Sequence, residues 1–378
     1  MKTLHLFSNW RWTGPAEPAV NLAAALREAG WEVTFACAQQ PRGRPNRVLD
    51  AARQHGLPTH TDLRLGKHRD PLRNWADARR LGRWLADEHV HVVHTHLPNA
   101  LRIAAAGLSR APRRPLLVHT CYDGDAPASS TERRLLAGRA DGLVTVSQKA
   151  RGAAIDRLGL PPDRVWAVHT AVDLERFRPG IGDRRAEFGI PGEAFVVGIV
   201  ARVQWHRRYH VFLEAMDRAR RELPRLRAII VGRGTNLEPI ALQPIRRMGL
   251  HETIVLPGYH TGDDYVRTLA TMDAKVYLVP GTDGSCRAAR EAMAMGVPVI
   301  AARRGVLPEL VGEDQRGMVI DDTPEVLCDA ILELARQPER RLEMGRRARQ
   351  FALENFSPAR QAEIVGDIYR ELAERAEP

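Results

Sequence analysis

Between Lys275 and Ala301 the sequence reads strand, glycine turn, helix, turn and strand in immediate succession. That order points to a parallel sheet covered by helices. Residues 275–279 are a short apolar, β-branched run. Pro280, Gly281 and Gly284 stop it, Ser285 is placed to cap a helix, and residues 287–295 have helix-forming composition closed by Gly296 and Pro298. A helix starting just after a strand and a glycine turn presents free backbone N–H groups and a positive dipole end, which suits an anion, most often phosphate. Two acids frame this site: Asp283 in the turn, and Glu291 eight residues on, about two turns into the helix. Each also has a plain reading, as a partner for the helix dipole or as a solvated acid, and cations nearby decide between the two.

The same rhythm runs through the rest of the chain. Residues 2–9 read as a strand leading into a loop with Gly14, residues 17–29 as a helix closed by Gly30, and residues 31–38 as the next strand, the start of a βαβ unit. The loop lacks the full G-x-G-x-x-G pattern, so a dinucleotide site is poorly supported. Further strands are expected within 90–99, where the strand runs into a loop, within 115–124, a strand with its exit loop, and at 142–146, 195–201, 227–231, 253–258 and 297–301, with a last helix over 358–376. His94 and His96, two apart near the end of one strand, share a face where open α/β sheets bind ligands. A satisfied structural role is as good a reading for them, and a metal would need further ligands. Arg202 and Arg207 follow the strand at 195–201 and can neutralise a pyrophosphate, arginine doing so in bidentate fashion. Proline and lost periodicity make 179–192 the natural domain boundary.

The chain has 378 residues, enough for two or three domains with their own cores. No apolar run nears the roughly 20 residues that span a bilayer, and the first seven residues read as a strand, not a signal peptide. A cytoplasmic protein is expected. Cys37, Cys121, Cys286 and Cys328 show no C-x-x-C spacing, so reduced thiols are the default. The formal charge of +10 lies entirely in the first half: residues 1–178 hold 27 basic and 17 acidic side chains, residues 179–378 hold 29 of each. An anionic partner for that half is implied: a membrane surface, a phosphorylated acceptor or nucleic acid, the last disfavoured because no recognition helix, zinc finger or RNA-binding motif is present. In the helix expected at 69–89, Arg69, Arg73, Arg79, Arg80 and Arg83 gather on one side, with Trp75, Ala78, Leu81 and Leu85 mostly opposite. That face could rest on anionic lipid, or be the solvated side of a helix over the sheet.

Asp283, seven residues and Glu291, followed by Ala-Met-Ala-Met-Gly-Val-Pro-Val-Ile, resemble the E-x7-E signature of retaining GT-B glycosyltransferases, family 4, with Asp in place of the usual first Glu. Nearly the whole chain shares the resemblance. It implies α/β architecture with two doubly wound Rossmann-like domains facing across a cleft: 1–178 for the acceptor and 179–356 for the nucleotide sugar, with the helix at 357–378 returning to the first. The role implied for Asp283 is contact with the donor sugar hydroxyls, and for Glu291 contact with the ribose. The donor phosphates are placed on the N–H groups of Gly284, Ser285 and Cys286 and between Arg202 and Arg207, with Arg208 beside them. Tyr259 is placed near the base and Gly14 in a ligand-approaching loop. The His94-Thr-His96-Leu-Pro-Asn pattern resembles the acceptor-side strand and makes His96 a cleft residue. Tyr122 stands where relatives often carry a histidine facing the reacting sugar, with His119 and Asp123 close by. Val172, Asp173, Phe177 and Pro179 keep the family's inter-domain connection, while His169, Thr170 and Ala171 replace its P-N-G.

The expected activity is transfer of a sugar from a nucleotide-diphosphate sugar, with retention, to a cell-envelope glycan or glycolipid of lipopolysaccharide or exopolysaccharide type. The nucleotide sugar is a co-substrate and no metal is expected. The positive half suggests peripheral contact with the inner face of the plasma membrane. Two alternatives stand: a catalytically silent nucleotide-sugar-binding subunit, and a nucleotide-sugar epimerase.

Overall fold

A computed structural model describes residues 1–111, 113–124, 129–279 and 285–376. The chain forms two compact units, one from residues 1–171 and 358–376, the other from residues 172–279 and 286–357.

The first unit carries a six-stranded parallel sheet of β1 (Lys2–Phe7), β2 (Glu32–Cys37), β3 (Val92–Thr95), β4 (Leu116–Cys121), β5 (Gly142–Thr145) and β6 (Val165–Ala167), in the order β2-β1-β3-β4-β5-β6. Helices cover both faces, so the strands read as apolar runs instead of alternating. Leu4, Leu6, Val93 and Leu117 fill one face and Phe7, Val92, Val118 and Val144 the other. The last helix, Pro358–Ala376, packs its Ala362, Val365, Ile368 and Tyr369 on the second of these faces. Gly366 is needed there, since a Cβ would sit 2.9 Å from the Trp31 ring.

The second unit repeats the plan with β7 (Phe195–Val200), β8 (Leu226–Val231), β9 (Ile254–Gly258), β10 (Ala274–Tyr277), β11 (Val299–Ala302) and β12 (Gly317–Ile320), all parallel, ordered β12-β11-β10-β7-β8-β9. Every strand sends its C-terminal end the same way, which gathers the exits of β7, β8 and β10 at one edge, the place where such sheets bind ligands. The order changes direction between β10 and β7, the strands that precede the helix carrying Glu291 and the segment carrying Arg202.

Two expectations change. The strand within 90–99 spans Val92–Thr95 and the loop expected after it is short, because Pro98 opens a helix, Pro98–Leu108, in a position where its missing N–H costs nothing. In the helix Pro71–Glu88, Ala78, Leu81 and Leu85 are buried as the periodicity predicts, but Trp75 is 55 % exposed, with the Arg79 guanidinium 5.7 Å over its ring. No helix among the described residues is long and apolar enough to cross a membrane.

Candidate functional site

In the second unit the helix Arg287–Ala294 follows β10, with residues 280–284 between them outside the described residues. Its cap is Cys286 and not Ser285: Cys286 sits at φ 47°, a left-handed conformation that turns the chain into the helix without a side-chain acceptor. Asp283 and Gly284 lie outside the described residues.

Glu291 is buried, and its charge is met locally. The Tyr265 hydroxyl donates to one carboxylate oxygen at 2.6 Å, and Nε of Arg287, one turn earlier on the same helix, lies 3.3 Å from the other. Burial, reinforced by the Glu291 charge, pushes the Tyr265 hydroxyl well above the usual phenol range, so it stays a donor. Neither Tyr265 nor Arg287 belongs to the family pattern, although the i,i+4 spacing of Arg287 and Glu291 was readable. Lys275 on β10 is wholly buried, its Nζ lacking a hydrogen-bond partner among the described residues; burial pushes its pKa down to about 7 against the opposing pull of Glu291.

The cations expected beside this turn have different environments. Arg202 comes just after β7, is exposed, and makes no hydrogen bond or ion pair among the described residues. Its backbone is fixed from behind: a Cβ on Gly232 would lie 2.0 Å from the Ala201 carbonyl oxygen, and one on Gly234 2.1 Å from that of Val203. Only glycine lets the exit of β8 pack so closely along the exit of β7. Arg207 donates through Nη1 to the Val279 carbonyl at 3.0 Å, tying the short 3-10 helix Trp205–Arg207 to the end of the β10 segment. Arg208 is withdrawn from any ligand role by Asp322, whose carboxylate pairs with its Nε and whose carbonyl accepts from its Nη2 at 2.8 Å. Tyr259 is exposed after β9, with the Arg233 guanidinium 4.4 Å from its ring centre.

In the first unit, Gly14 lies exposed in the turn before the helix Ala16–Glu28. His96 is buried, and both ring nitrogens are engaged: Nδ1 lies 2.9 Å from the Tyr122 hydroxyl and Nε2 3.0 Å from Nδ1 of His5. The expected cleft residue is thus an interior one, joined through its two ring nitrogens to His5 and to Tyr122, which is itself buried. His94 stacks on His96 with ring centres 4.5 Å apart and is held at Nδ1 by the Tyr369 hydroxyl (2.5 Å) and at Nε2 by Thr120 (2.6 Å). Burial keeps all three rings neutral; His5 is pushed down to about 3, and His94 and His96 well below the usual range. His119, on the opposite face, bonds Thr95 Oγ1 at 2.8 Å and faces Glu132 at 3.5 Å.

His5, which no sequence pattern singles out, completes a trio with His94 and His96, each offering a nitrogen within 4.8 Å of the others. His5 Nδ1 and His96 Nε2 face each other in a hydrogen bond, and both nitrogens of His94 are already held by Tyr369 and Thr120. This is the geometry of a hydrogen-bonded stack more than of a metal centre. One Asp-x-Asp spacing does occur in the chain, Asp123 and Asp125, of which Asp125 lies outside the described residues.

Two family descriptions match this chain in tandem: Glycosyltransferase Family 4 over residues 14–176 and Glycosyl transferases group 1 over residues 181–351. The chain belongs to the GT-B glycosyltransferases. Among curated relatives of this GT-B chain, the D-inositol 3-phosphate glycosyltransferase of Saccharomonospora viridis is 33 % identical over 282 residues, covering 68 % of this chain and 64 % of the relative. The protein of the same name from Corynebacterium glutamicum strain R is 31 % identical over 281 residues, covering 68 % and 66 %. The chain thus spans about two thirds of the length of these relatives. The crystal structure of Anabaena HepE in complex with UDP has the same GT-B fold, with a TM-score of 0.80 at 19 % identity over 98 % of this chain and 100 % of that one.

Proposed function

We propose that this protein transfers a hexosyl group from a nucleotide-diphosphate sugar, with retention at the anomeric carbon, to a cell-envelope glycan or glycolipid. The observation that carries this reading is the second unit's edge. There a buried acid, Glu291, is fixed by two side chains, while a clamped arginine, Arg202, is exposed and unpaired among the described residues. An acid held by Tyr265 and Arg287 suits ribose hydroxyls, which both donate and accept, and an exposed guanidinium suits the diphosphate. Arg202 and Arg207, with the N–H groups at Ser285 and Cys286, would stabilise charge on the departing diphosphate, usually the largest single contribution to such catalysis. Tyr259, backed by Arg233, offers a ring for the base. UDP and UDP-glucose in the complexes of the Anabaena protein support a uridine donor.

Gly14, His96 and Tyr122 are assigned to the acceptor side. Membrane contact is assigned to the helix Pro71–Glu88, where Leu72 (82 % exposed) and Trp75 stand beside the exposed Arg73, Arg79, Arg80 and Arg83. A second acceptor class, a small phosphorylated polyol, is favoured by the names of the curated relatives and by the basic excess of the first half. Incubation with each UDP-hexose and either a lipid-extract acceptor or inositol phosphate, followed by proton NMR of the product, tests the reading. An α-linked product from an α-donor supports it; an inverted product, or epimerised donor without acceptor, contradicts it.

A further inference from the structure

We propose that His5, in the interior of β1, is a positioning residue that acts through His96 to hold the Tyr122 hydroxyl as a hydrogen-bond donor. The assignment of Tyr122 to the substrate rests on the function proposed above; the relay rests on geometry alone.

The chain of contacts is linear. His5 Nδ1 lies 3.0 Å from His96 Nε2, and His96 Nδ1 lies 2.9 Å from the Tyr122 hydroxyl. The two nitrogens of the His96 ring therefore join a residue on β1 to one in the loop after β4. A neutral imidazole has one N–H donor and one bare acceptor, so only two proton arrangements are open. Either the Tyr122 hydroxyl donates inward to His96, which donates to His5, or His5 donates to His96, which donates to the Tyr122 oxygen.

The far end of the chain decides between them. His5 Nε2 is buried and has no partner among the described residues. In the first arrangement it would carry an orphaned N–H in the core; in the second it is a bare lone pair. Buried N–H groups without a partner are the rarer and costlier defect. The proton of His5 therefore sits on Nδ1, that of His96 on Nδ1, and the Tyr122 oxygen accepts. Its own hydrogen is turned away from His96, as donation to a hydroxyl or ring oxygen of a bound sugar requires.

The neighbours reinforce the arrangement. His94 stacks at 11° on His96 and is pinned at both nitrogens, by Tyr369 from the last helix and by Thr120 from β4, so it holds the His96 ring in plane without sharing its protons. Burial keeps the three rings uncharged, which preserves a single donor and a single acceptor on each. A phenylalanine at position 5 keeps an aromatic ring in this core but carries no N–H to donate.

Two measurements on the full-length protein test this. With nitrogen-15 histidine, the two-bond proton–nitrogen correlations of His5 and His96, assigned through His5→Phe and His96→Phe, are predicted to show the Nδ1–H form for both. An Nε2–H form on either overturns the relay. In transfer assays, His5→Phe and Tyr122→Phe are each expected to lower kcat about tenfold, with donor KM unchanged and the double variant no slower than Tyr122→Phe. His5→Asn, which keeps an N–H near the Nδ1 position, is expected to recover part of the rate. Effects that multiply in the double variant overturn the proposal, as does a cobalt(II) titration giving visible bands that vanish in His5→Phe, which would make the trio a metal site. Nδ1–H tautomers with unaltered transfer in Tyr122→Phe would support the relay and sink the substrate role of Tyr122 instead.

Discussion

The Tyr265 hydroxyl donates to the Glu291 carboxylate at 2.6 Å inside the second unit. The contact joins the helix Gly262–Ala270 to the helix Arg287–Ala294, and with Arg287 it fixes the buried acid. Tyr265→Phe keeps the ring and its edge-on packing against Phe177 but removes the donor. A hydrogen bond to a buried carboxylate contributes about 1.5–3 kcal/mol, so urea unfolding should show a loss of that order, and calorimetric donor affinity should fall roughly tenfold. Unchanged affinity would mean that Glu291 does not contact the ribose.

Lys275 is a buried base without a hydrogen-bond partner among the described residues, so its protonation state is linked to stability. In the unfolded chain a lysine holds its proton up to the usual value of 10.5, while in the fold Lys275 releases it at about 7. Between those values the unfolded state binds more protons, and stability rises with pH; below 7 the penalty is fully present. Lys275→Met should therefore raise stability at pH 6 by about 2 kcal/mol, with the gain shrinking towards pH 10. Denaturant melts of both proteins across that range check the sign. A gain that grows with pH would contradict it.

Gly232→Ala places a methyl 2.0 Å from the Ala201 carbonyl oxygen, and backbone cannot yield as a side chain would. The expected loss is about 1–3 kcal/mol of stability. The displaced Arg202 should also weaken nucleotide binding while leaving the circular dichroism spectrum of the fold intact. A variant that binds the donor normally would show that the clamp does not position Arg202.

Replacing Leu72 and Trp75 together by serine removes the two exposed apolar side chains at the start of the helix Pro71–Glu88. Sedimentation with anionic vesicles should show partitioning reduced about tenfold, in line with the loss of roughly 1.5 kcal/mol or more of apolar burial, and binding by the parent should weaken as salt rises. Equal partitioning of parent and variant, or none by either, would contradict peripheral docking.

The fold is legible in the sequence because most strands here are buried on both faces and so read as short apolar runs. The runs at 195–201 and 227–231 differ by at most one residue at either end from Phe195–Val200 and Leu226–Val231, and the last helix matches at both ends. Local chemistry at helix starts was less legible. The cap at Cys286 depends on a left-handed backbone that no composition rule assigns to cysteine, and Trp75 is exposed beside Arg79 where the period placed it with the buried side. The partners of the site residues were least legible. His5 meets His96 across 91 residues and Tyr265 meets Glu291 across 26, and such pairings exist only once the sheets have fixed the register. Arg207 and Arg208 look equivalent in the sequence; Asp322, more than a hundred residues on, occupies only the second.

The central claim is that the second unit binds a nucleotide-diphosphate sugar through Glu291 and Arg202. Isothermal titration of the protein with a panel of nucleotide sugars and their diphosphates, beside Glu291→Ala and Arg202→Ala, tests it most directly. Micromolar binding of one nucleotide sugar is predicted, with Glu291→Ala losing discrimination for the ribose and Arg202→Ala losing affinity for the free diphosphate as well. Binding that survives both substitutions unchanged, or no binding to any member of the panel, would contradict the account.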